Sequence, residues 1–130
     1  MPFSFSNDAI ESKLPAVGTH VATIADAEVK GSDTLWLNVS FQLESGHTME
    51  QMYVIEAPEN SPYVARLGEG FTFVKAVAAA VGVDVNTLTE ADAIKTAFIG
   101  KKLQLTIIRK TVKGAPAAAI RAITAMPATA

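Results

Sequence analysis

Residues 34–43 read TLWLNVSFQL, and the fold turns on this stretch. Leu35, Leu37, Val39, Phe41 and Leu43 take every second position, with Trp36, Asn38, Ser40 and Gln42 between them. Side chains of an extended strand point alternately to opposite faces. The stretch is therefore a half-buried β-strand with one apolar and one polar face. The polar face has one exception, Trp36, the only tryptophan of the chain. An indole there is either covered by another segment, with Phe3 or Phe5 as the cover, or used for binding.

Working outward, residues 18–30 (GTHVATIADAEVK) are rich in β-branched side chains. His20, Ala22 and Ile24 share one face, after which the apolar parity moves to Ala27 and Val29. A parity change inside a strand predicts a β-bulge. Lys30 to Asp33 is turn chemistry and makes a hairpin with the Trp36 strand. A second turn, Glu44 to His47, leads to a strand over residues 48–56. Its parity is ambiguous: either Met52 and Val54 face inward with Tyr53 outward, or the reverse. Pro58 and Pro62 end it, and residues 60–70 read as a connection without a pattern.

The period then changes. Phe71, Val74, Val77, Ala78 and Val81 recur at helical spacing, with Gly82 as the stop. Thr87 to Glu90 fits a capping box before a shorter helix with Ile94 and Phe98 as its apolar stripe. Residues 101–110 (KKLQLTIIRK) return to alternation, with Leu103, Leu105 and Ile107 on one face and Lys102, Gln104, Thr106, Ile108 and Lys110 on the other. Residues 111–116 read as a loop, and residues 117–125 as a last strand with Arg121 outward. Three antiparallel strands, a helical insert and a hairpin is the order of a mainly β, five-stranded Greek-key barrel of OB-fold type, the insert lying between strands 3 and 4. An open α+β sandwich with the same order is the alternative. The predicted organisation is an N-terminal arm over 1–14, an OB-fold-like domain over 15–126 and a short neutral tail over 127–130.

The chain has 130 residues and no cysteine, which excludes disulfides and thiolate metal sites. No apolar run approaches the roughly 20 residues of a membrane helix, and the first residues do not form a secretory signal, so a cytoplasmic protein without membrane contact is expected. The two histidines, 27 positions apart, have no ligand spacing, and no glycine-rich phosphate loop is present. No enzyme activity, metal or cofactor is expected. The charge is unevenly spread. Residues 1–92 hold all thirteen acids and four bases, a balance of −9, whereas residues 93–130 hold seven bases and no acid. Such asymmetry predicts a surface that meets a polyanion.

The runs VGTHVATIADAEVK, LWLNVSFQLESG, FTFVKAVAAAVGV and FIGKKLQLTIIRK, in that order, resemble a family of small phage and prophage proteins, formerly a domain of unknown function. The shared features are Gly18, Ile24, Phe41 before the Glu44–Gly46 turn, Gly82, and Gly100-Lys101. The family is grouped with OB-fold proteins that bind single-stranded DNA. His20 stands where the pattern would have an aromatic residue. The final AMPATA is not the acidic tail with which many such binders recruit replication partners.

The resemblance implies a groove over the outer face of strands two and three, flanked by the loops between strands 1–2 and 4–5. Aromatic rings there would stack on bases and cations would track phosphates. Trp36 would be the first stacking platform and Tyr53 a second if it points outward. Asn38 would hydrogen-bond bases or sugars, and Lys30, Lys102, Lys110, Lys113 and Arg121 would meet phosphates. The expected partner is single-stranded DNA in replication or recombination, with RNA undistinguished because that choice rests on contacts to a 2′-hydroxyl. Edge strands make a homodimer and contacts to replication or recombination proteins further expectations. The alternative is a viral structural, assembly or protein-interaction module using the same face.

Overall fold

Alternation becomes a fully antiparallel sheet in the computed structural model, which describes residues 6–127. The strands are β1 (Gly18–Gly31), β2 (Leu35–Leu43), β3 (Thr48–Glu56), β4 (Lys102–Val112) and β5 (Ala115–Thr124). Their order across the sheet is β3-β2-β1-β4-β5. The helices are α1 (Asn7–Glu11), α2 (Leu67–Val81) and α3 (Ala91–Phe98), with short 3₁₀ turns at Pro62–Arg66 and Val85–Thr87. The protein is thus mainly β, with the helical insert between β3 and β4 as expected. Among the described residues β3 and β5 do not pair, so the sheet stays open along that seam.

The bulge falls where parity changes. β1 pairs with β2 through Ile24↔Phe41 and then Asp26↔Ser40, so the register slips by one residue at Ala25. Ile24 and Ala27 both reach the core as a result, three positions apart, and both are fully buried. The N-terminal half of β1 pairs with β4, from Gly18↔Ile107 to Thr23↔Lys102. A bulged strand serving two neighbours curls the sheet.

One face of that curled sheet carries the core. Ala22, Ile24 and Ala27 of β1, Leu37, Val39, Phe41 and Leu43 of β2, and Leu103, Leu105 and Ile107 of β4 meet Phe73, Val77 and Ala78 of α2 and Ile94 and Phe98 of α3. Phe98 and Phe41 are fully buried. Truncating either to Ala costs about 3–5 kcal/mol by the usual penalty for a large core residue. Gly82 closes α2 in the left-handed conformation at φ 74°, which glycine adopts without Cβ strain.

Several local expectations are corrected. α2 begins at Leu67 rather than Phe71. Thr87 to Glu90 does not cap a helix: the Asp84 side chain instead accepts from Asn86 N–H to start a 3₁₀ turn, and Glu90 precedes α3 with no side-chain cap. The six-residue loop expected at 111–116 shrinks to Lys113 and Gly114, because Val112 pairs with Ala115. Both turn residues have positive φ, 51° and 81°, as a two-residue hairpin of matching twist requires. The N-terminal arm holds the short helix α1, tied to β4 by the Glu11–Arg109 ion pair. Phe3 and Phe5 lie outside the described residues, as do residues 128–130.

Candidate nucleic-acid interface

The chain after β3 decides what surrounds Trp36. Trp36 is in register with Val54 of β3 and Lys30 of β1, on the face away from the core. Past Glu56 the chain turns onto this same outer face. Ser61 Oγ accepts from Tyr63 N–H and starts the 3₁₀ turn. The turn sets Tyr63 edge-on to the indole, with ring centroids 5.3 Å apart at 74°. The Arg66 guanidinium lies 5.7 Å from the indole centroid. Both contacts suit the indole quadrupole. The chain then crosses the rim of β3 at Gly70, where an added Cβ would sit 1.8 Å from the Val54 carbonyl oxygen. Only a glycine allows that approach. Beyond it, Phe73 stacks on Tyr53 at 4.5 Å and meets Phe41 edge-on at 6.3 Å on the core side.

Trp36 is therefore half-buried, and the described residues that cover it are Tyr63 and Arg66. Neither was identified in the sequence, because their connection has no period. The available signals were an aromatic and an arginine beside a Ser-Pro turn start.

Register groups the other candidates. Asn38 stands one row from Trp36 on the same face, between Glu28 and Met52. Its Oδ1 is out of solvent and makes no hydrogen bond among the described residues. Met52 beside it is 51% exposed. Tyr53 is in register with buried Leu37 and so lies on the inner side. The outward second platform does not form. Tyr53 instead lines an open cleft of about 940 Å³ between β3, α2 and β5, where it joins Phe73, Ile120 and Arg121. Arg121 is exposed beside a register slip opposite Ile107.

Of the cations expected at the site, only Lys30 lies near the indole. Lys30 lies beside Trp36 but is paired with Glu28 at 3.8 Å. Two further acids share this face in the next row, Asp26↔Ser40 and Ser40↔Glu50, with Ser40 Oγ donating to Glu50. Lys102 is in register with Thr23, and Thr23 with Gln42. That places it about 20 Å along β2 from Trp36, at roughly 3.3 Å per residue. Lys110 shares the outward parity of Lys102 and pairs with Ala117. Lys113 is at the hairpin tip, which runs past the start of β1 and away from Lys30. The outer face thus has two halves. One, from the second half of β1 to β3, holds Trp36 among carboxylates. The other, from the first half of β1 to β5, holds Lys102 beside Glu44, then Lys110 and Lys113, with no Phe, Tyr or Trp among the described residues.

No protein-family model matches the chain, and no curated protein matches it significantly. Among the described residues no helix is long and apolar enough to cross a membrane, and no cluster of three or more His, Asp or Glu side chains is suited to a metal.

Proposed function

We propose that this chain binds single-stranded DNA without enzymatic chemistry, the bases stacking at Trp36 and the phosphates running toward the β4–β5 half. The observation that carries this reading is the indole. It stands on the outer face of a sheet with a cation over it, a tyrosine edge against it and the unmade hydrogen bond of Asn38 one row away. Stacking of this kind accepts any base, each worth roughly 1–3 kcal/mol, so little sequence preference is expected. The acid-free β4–β5 hairpin supplies the electrostatic term. The sheet fits an OB-like barrel opened at the β3–β5 seam, with β1 pairing on both sides and bulged at Ala25. Action in phage or prophage replication or recombination, in the host cytoplasm, is the context that the family resemblance implies.

The test is titration of oligo-dT against Trp36 emission at two salt concentrations. Quenching is expected, with affinity falling as salt rises. Unchanged emission with no retention of the oligonucleotide sinks the reading. Retention without quenching moves the groove away from Trp36. A second reading, as a protein-interaction or viral assembly module, is favoured by one observation: both edges of the sheet are unpaired.

A further inference from the structure

We infer that copies of this chain associate head to tail, the β3 edge of one copy meeting the β4–β5 hairpin of the next. This goes beyond the nucleic-acid reading and does not depend on it. The first support is backbone chemistry. Leu43 N–H donates to the His47 carbonyl at 2.8 Å, which makes that pair a hydrogen-bonded one in the β2–β3 ladder. Such pairs alternate along an antiparallel ladder. Glu50 and Met52 therefore turn their N–H and C=O groups away from β2, toward the open edge. α2 covers this edge only farther along, where Gly70 meets the Val54 carbonyl. At the other side of the sheet no residue of β5 is buried, although α1 packs against the strand and Asn7 Nδ2–H donates to the Gly114 carbonyl at its start. An open edge is a template for another strand.

The second support is charge. β3 carries Glu50 and Glu56 and no base, whereas the β4–β5 hairpin carries Lys102, Lys110, Lys113 and Arg121 beside an Arg109 that is paired with Glu11 of α1, and no acid of its own. Lys110 pairs with Ala117, and Ala119 follows on the same face, so only short side chains lie between Lys110 and the far side of β5, while Asp8 and Glu11 of α1 line a hollow on its other flank. A β3 strand added there would lie two strand spacings from β4, about 10 Å, within the joint reach of a lysine and a glutamate. Two β3 edges would set acid against acid, and two hairpins cation against cation. The contact that charge allows joins unlike surfaces. Such a contact leaves one free end of each kind, so the assembly grows into a ring where the rotation closes and into a filament where it does not.

The experiment is sedimentation velocity on the full chain, free of nucleic acid, at low and high salt. Wild type should show concentration-dependent association that weakens on the order of tenfold as salt rises. The acid-reversed variant Glu50→Lys/Glu56→Lys and the base-reversed variant Lys110→Glu/Arg121→Glu should each stay monomeric. An equimolar mixture of the two should associate again, because each edge then finds an opposite one. Circular dichroism of both variants confirms that they are folded, and the variant carrying all four changes, whose edges are again opposite, should associate alone. A monomeric wild type at every concentration, a reversed variant that associates as wild type does, or a mixture that stays monomeric while wild type associates would overturn the inference.

Discussion

The two halves of the outer face are made from one sheet and carry opposite chemistry. The Trp36 half has the aromatic platform and the Asp26, Glu28 and Glu50 carboxylates. The β4–β5 half has lysines and alanines, with Glu44 the acid beside Lys102 and no Phe, Tyr or Trp ring among the described residues. Trp36 and Lys102, a ring and a cation that a single-strand groove would bring together, stand about 20 Å apart along β2. A net charge near neutrality thus hides two surfaces of different composition. This difference also makes the contributions of ring and cations separable by mutation.

The largest effect should come from the basic half. Replacing Lys102, Lys110 and Lys113 together with Ala should weaken oligo-dT binding by roughly two orders of magnitude at low salt. The salt slope should become shallower by about 2, at roughly 0.7 for each phosphate left without its cation. A filter-binding series across salt concentrations measures both, and an unchanged slope would detach this half from the ligand. Next, Trp36→Ala should cost roughly tenfold or more in affinity, as one base loses its platform, while the salt slope stays put. If the slope moved as well, the indole and the lysines would not be the independent sites that register suggests. The smallest effect belongs to the carboxylates beside the ring. Glu28→Gln with Glu50→Gln should tighten binding only a few-fold, because both groups are exposed and screened. A loss of affinity on that change would mean that the acids hold the site together rather than oppose the ligand.

What was legible in the sequence follows from which strands bury one face. β1, β2 and β4 press one side against helices, so selection for apolar side chains is confined to alternate positions, and the pattern survives. Even the bulge at Ala25 shows, as a change of parity between Ile24 and Ala27. β3 is an edge strand with only Val54 buried, and Val54 lies on the outer side under the chain that crosses there. With apolar residues on both faces, Tyr53 could not be assigned. Whether two edge strands meet is a matter of curvature, which alternation does not encode, so closure of the sheet was beyond reading. The neighbours of Trp36 were hidden for a third reason. Tyr63 and Arg66 sit in a turn whose position is set by the start of α2 and the absence of a side chain at Gly70, both distant from the indole in sequence.

That absent side chain has a mechanical consequence. The segment from Tyr63 to Phe73 wraps a rim like a clip, one arm on the indole and the other against the Tyr53 ring, with the bare backbone of Gly70 on the Val54 carbonyl between them. A side chain at position 70 would meet the Val54 carbonyl and lift the segment off the rim, so both ring contacts would part at once.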